Sequence, residues 1–157
     1  MGKYGEIFAK LRLTPNQLRT VADRRLDDAV YLVESGENAR ANGSIYLGGF
    51  AVECWLKAGL LERHRNLGSA VDPARLSASD REVYRQLYSH ELDEMIDALP
   101  ELALKLERQR TGLKAELRTL AAEWSVYARY SPRIATIRQA KAFLGVVSDV
   151  RPVLRDL

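Results

Sequence analysis

The run "YLGGFAVECWLKAGLLE", Tyr46 to Glu62, most limits what this chain can fold into. It is apolar except for Glu53 and Lys57, four residues apart, and it opens on two adjacent glycines. A phosphate-cradling loop would need those glycines between a strand and a helix, with a lysine directly after the last one and Ser or Thr following. Lys57 instead stands eight residues beyond Gly49 and is followed by Ala58, so the run reads as the centre of a buried helix. Each glycine inside such a helix costs about 1 kcal/mol relative to alanine. Close approach of a neighbouring helix, or of the same helix in a second subunit, is the expected compensation.

The rest of the chain repeats at helical spacing. Thr14 to Gln17, "TPNQ", forms a capping box with proline at the first helical position, and apolar residues from Leu18 to Val33 continue one face until Gly36. A second helix is predicted from about Asn38 to Arg63. After an irregular crossover near residues 66–90, Ser79 or Asp80 can cap a short helix holding Tyr84 and Leu87. "HELDEMIDAL" gives another short helix stopped by Pro100, followed by a longer one over Leu102 to Tyr130, with an interruption possible at Thr111-Gly112, and a last one from Ile134 to about Leu154. No stretch alternates as a strand. The fold class expected is all-α, an antiparallel bundle of four to five helices in a single domain over residues 1–157.

Length and composition agree. At 157 residues, with 46% apolar and 29% charged side chains, one core is expected. No window reaches the roughly 18 to 20 unbroken apolar residues of a membrane span, and "MGKYGEIFAKLRL" has no secretory pattern, so no membrane association and a cytoplasmic location are expected. One cysteine and two histidines are too few for an internal disulfide or an ordinary zinc site, and no metal or cofactor is expected. Cys54, between Glu53 and Trp55, reads as a small core residue. Of the 24 basic residues 18 are arginine, a bias that suits bidentate contact with phosphate or carboxylate, or else solvated helix faces.

The candidate site residues follow from burial. In projection Gly49, Glu53 and Lys57 form one stripe flanked by Tyr46, Phe50 and Leu60, and a glutamate in such surroundings needs several donors. "WSVYARYSPR" offers Arg129 beside Tyr127 and Tyr130, predicting a Glu53–Arg129 ion pair within a polar cluster of Glu53, Lys57, Tyr127, Arg129 and Tyr130. Trp124, Tyr127 and Tyr130 also fit a core face of a helix. His90, in "RQLYSH", reads first as a helix-start residue whose ring bonds a nearby carbonyl or carboxylate and holds the crossover.

"ARANGSIYLGGFAVECWLKAGLLE", "SHELDEMI" and "WSVYARYSP", in that order, resemble the pattern of HEPN domains, helical proteins named for nucleotide binding in higher eukaryotes and prokaryotes. The resemblance covers roughly Leu26 to Ala142. It implies a bundle, often a homodimer, frequently encoded beside a nucleotidyltransferase partner and acting in toxin-antitoxin, defence or RNA-processing settings. Catalytic members are metal-independent ribonucleases in which four to six residues separate an arginine from a following histidine on a late helix; here no histidine follows His90, and Arg85 with His90 is the match to that spacing, an arginine and an imidazole that could supply positive charge to an RNA phosphate and a base to its 2′-hydroxyl. Three functions are therefore carried forward: an RNA- or nucleotide-associated module, a ribonuclease using Arg85 and His90, and a non-catalytic partner-binding subunit.

Overall fold

A computed structural model describes residues 14–68, 73–132 and 135–157, with the backbone alone at Gly68, Pro73 and Arg129. Residues 1–13 and Ile134 lie outside the described residues. The architecture is all-α: helices α1 (Pro15–Glu34), α2 (Ala41–Arg63), α3 (Ala78–Leu87), α4 (Leu92–Asp97), α5 (Leu102–Gln109), α6 (Leu113–Glu123) and α7 (Ile137–Arg155), joined by short 3-10 turns, with no strand among the described residues.

Helix α2 is the central element. Every residue from Ala51 to Leu61 is buried, so three consecutive turns present no face to solvent. Trp55, Leu56, Leu60 and Leu61 are completely or almost completely enclosed, and each contributes about 1.5 to 3 kcal/mol of apolar transfer. Despite this apolar content, no described helix is long and apolar enough to cross a membrane.

Contacts along α2 fix the direction of its neighbours. Ser44 near the start of α2 donates to the Ala29 carbonyl late in α1 at 2.8 Å, and Arg19 early in α1 meets Glu62 at the end of α2 at 3.4 Å, so these two helices are antiparallel. Helix α7 instead runs alongside α2 in the same sense. Its start is held by Asn38 and Asn42, whose side-chain oxygens accept from the Ile137 and Ala135 backbone N–H groups at 2.9 and 2.8 Å. The Ile137 N–H is an orphan donor in the first turn of α7 and the Ala135 N–H belongs to the residue before the cap, so two asparagines one turn apart tie the start of α7 to α2. Further along, Arg151 and Arg155 of α7 close on Asp23 of α1 at 3.1 and 3.3 Å. Helix α6 returns in the opposite sense, with Arg110 just before it bound to Asp149 of α7 and Trp124 just after it against Gly49.

The glycines of α2 have the role expected of them, with a difference in what approaches. A Cβ on Gly48 would lie 2.6 Å from Leu144 of α7, and one on Gly49 would overlap the indole of Trp124. Side chains of this chain, rather than a neighbouring backbone, take up the space.

Several boundaries depart from the spacing. Leu102 to Tyr130 is not one helix: Gly112 takes a left-handed φ of +84°, which ends α5 and starts α6, and α6 stops at Glu123 because Trp124 is extended. Tyr127 and Tyr130 consequently sit on a 3-10 turn, Val126–Tyr130. The second helix proper begins at Ala41, after a 3-10 turn over Asn38–Arg40. Ser77, rather than Ser79 or Asp80, caps α3, and a capping box of Thr136 and Gln139 starts α7.

Candidate functional site

Glu53 is the buried acid around which a site forms, its side chain 1% exposed. One turn further along α2, the Lys57 ammonium donates to it at 2.6 Å. The second partner comes from outside the helix: Nδ1 of His90 lies 3.0 and 3.1 Å from the two carboxylate oxygens. A buried carboxylate needs donors on both oxygens, and this arrangement supplies them from an i, i+4 neighbour and from the connection between α3 and α4.

That connection is shaped locally. Helix α3 ends as the Tyr88 N–H turns back to the carbonyl of Arg85, and the Ser89 N–H to that of Gln86. The Ser89 hydroxyl donates to Gln86 and accepts from the Glu91 N–H. His90 is thus carried out of the helix with one ring edge on Glu53 while its side chain stays 51% exposed. An ionised carboxylate only accepts, so Nδ1 carries the hydrogen, and in the neutral ring Nε2 keeps a lone pair. No protein partner for Nε2 is found among the described residues. The result is an oriented imidazole with a basic nitrogen available to a ligand.

Arg85 is near in sequence and differently engaged. Its guanidinium bridges Glu82 at 2.7 Å and Glu94 at 2.9 Å, spanning the His90 connection from α3 to α4. The bond to Glu82 raises the guanidinium further and holds the Glu82 carboxyl below the usual carboxylate range. The cation that shares a carboxylate with His90 is Lys57, not Arg85.

Other expected members fall elsewhere. The side chain of Arg129 lies outside the described residues, and with it the Glu53–Arg129 pair; the partners that Glu53 has are Lys57 and His90. Tyr127 and Tyr130 are 75% and 69% exposed, while Trp124 alone of the three aromatics is core. Cys54 is buried, and burial, with the Glu53 charge adding to it, pushes its thiol up to about 12, which leaves no thiolate for nucleophilic work near neutral pH. Much of the arginine excess is spent internally: Arg110 on Glu116 and Asp149, Arg118 on Asp93 and Asp97, Arg151 and Arg155 on Asp23.

Comparison of the chain with protein-family models, curated proteins and solved structures finds no match.

Proposed function

We propose that this chain is a HEPN-like, RNA- or nucleotide-associated module of a toxin-antitoxin or defence pair, working as a homodimer beside a nucleotidyltransferase. The observation that supports an RNA-directed site is the half-exposed His90 ring, oriented by the buried Glu53 carboxylate that also binds Lys57. Orienting an imidazole from beneath commits a buried acid and fixes one tautomer, which is what a positioned base requires.

The same observation favours a second reading, a metal-independent ribonuclease. In it, Nε2 of His90 takes the proton of a ribose 2′-hydroxyl, the 2′-oxygen bonds to phosphorus, and the bond from phosphorus to the 5′-oxygen breaks. The products are a 2′,3′-cyclic phosphate and a 5′-hydroxyl, the proton returning from His90 to the departing oxygen. Glu53 acts as a positioning residue that stabilises the imidazolium. Arg85 would contact the phosphate only by exchanging Glu82 or Glu94 for it.

Single-stranded RNA incubated with the purified protein in EDTA tests both readings. Cleavage by the unmodified protein, its loss in His90→Ala and resistance of the matching DNA support the ribonuclease. Binding without cleavage removes the ribonuclease and keeps the module. Neither binding nor cleavage overturns both and leaves a non-catalytic partner-binding subunit.

A further inference from the structure

Helix α3 carries a shallow cleft of about 650 Å³ whose lining runs from Ala78 to Ser89, the residue before His90 in the chain. Its lining includes Arg81, Glu82, Tyr84, Arg85 and Tyr88. The Tyr84 and Tyr88 rings are 4.9 Å apart at a tilt of 49°, and the Tyr84 hydroxyl close by raises the Tyr88 phenol. Tyr84 is partly buried against the core, whereas Tyr88 remains 64% exposed. A large aromatic ring is thus braced by its neighbour and presented to solvent at the very end of a helix. Burial does not explain that position for Tyr88.

The charges beside the ring narrow the ligand. Arg81 donates to the Leu76 carbonyl at 3.2 Å and has no carboxylate partner among the described residues. Arg85 lies one turn further on. A braced aromatic face with guanidinium groups alongside takes a flat π-system attached to an anion, which is the chemistry of a nucleotide in an unpaired strand. A duplex buries its base faces and leaves nothing for Tyr88 to stack on. Tyr88 and His90 are two residues apart, so their Cα atoms are within about 7 Å, the scale of one nucleotide step.

We infer that the Tyr84–Tyr88 cleft seats an unpaired base of single-stranded RNA, with Arg81 on its phosphate and the adjoining linkage presented to His90. The inference rests on the RNA reading for the direction of the strand towards His90, but the base seat has its own readout. Arg81 holds the backbone, Tyr88 selects unpaired bases, and the ring tolerates any base because every base has a π-face.

Fluorescence anisotropy with a labelled single-stranded oligoribonucleotide, in the His90→Ala background to prevent turnover, tests this on the full chain. Tyr88→Ala should weaken binding by roughly ten- to a hundredfold, and Tyr88→Phe, which keeps the ring, should stay within about threefold of the parent. Arg81→Gln should lower the slope of log affinity against log salt by about 0.7, one phosphate on a single strand. Tyr88 is exposed, and circular dichroism verifies that each variant folds. Equal affinity for single strand and duplex, or unchanged binding by Tyr88→Ala, overturns the base seat, including when the exposed ring serves a protein partner instead. Cleavage by the unmodified protein that survives such a result leaves the ribonuclease reading standing. Conversely, Tyr88-dependent binding without any cleavage keeps the seat and removes catalysis.

Discussion

Two helical glycines should respond to alanine with opposite sign. At Gly145 on α7 nothing lies within 4 Å of where a Cβ would stand, so Gly145→Ala collects the helix-propensity gain of about 1 kcal/mol without a steric cost. At Gly49 on α2 the same gain is available, but the added carbon overlaps the Trp124 indole, a rigid ring in the core. Overpacking costs about 1 to 3 kcal/mol, and overlap with a ring that has nowhere to swing lies at the upper end. The net expectation for Gly49→Ala is a loss of about 1 to 2 kcal/mol. In a Trp124→Leu background the ring is gone, and the sign should reverse to a gain of up to about 1 kcal/mol. Urea unfolding followed by circular dichroism measures Gly145→Ala and the four proteins of the cycle, and the cycle isolates the Gly49–Trp124 coupling from the separate cost of Trp124→Leu. Stabilisation by Gly49→Ala in the unmodified background would refute the packing account of the glycine pair.

Three further outcomes follow from the same contacts. Glu53→Ala leaves Lys57 buried without its carboxylate and should destabilise by about 3 to 5 kcal/mol, whereas Glu53→Leu combined with Lys57→Met should recover a large part of that loss; a double variant no more stable than Glu53→Ala in urea would mean the pair is not the source of the cost. Cys54 should resist iodoacetamide at pH 8 in the folded protein and react once unfolded, because burial holds its thiol near 12; rapid alkylation of the native chain, read by mass spectrometry, contradicts its placement. Gly112→Ala should cost about 1 to 2 kcal/mol although open space surrounds the site, since φ is +84° there; an unchanged unfolding midpoint would mean that the turn between α5 and α6 adjusts freely.

What could be read from the chain divides by the range of the interaction. Helix α1 starts at Pro15 as the capping box requires, because Thr14 and Gln17 satisfy each other within one turn. The glycine at position 112 interrupts the long apolar helix for an equally local reason, its backbone conformation. The break at Trp124 has no local marker: alanine, glutamate and tryptophan are all acceptable helix residues, and the chain leaves the helix there as the indole packs against Gly49. That contact joins residues 75 positions apart, and helical spacing holds no information about it.

The same division explains the site. A glutamate and a lysine one turn apart in an apolar helix announce a buried carboxylate, and its demand for a further donor is sound chemistry. Which donor answers depends on where the ends of other helices fall around α2, and a helix interior, being internally hydrogen-bonded, places its side chains only along its own faces. Arg129 and His90 both lie in connections, so composition favours neither. His90 is the one found on Glu53, because α3 ends at Leu87 and the turns at Tyr88 and Ser89 deliver the ring to the middle of α2. An imidazole placed in this way keeps one edge on the carboxylate and leaves the other open, whereas a guanidinium filling the same carboxylate would bring a permanent cation. The identity of the second donor on Glu53 is therefore set by where α3 ends and how the chain turns after it, and no spacing rule within the sequence decides it.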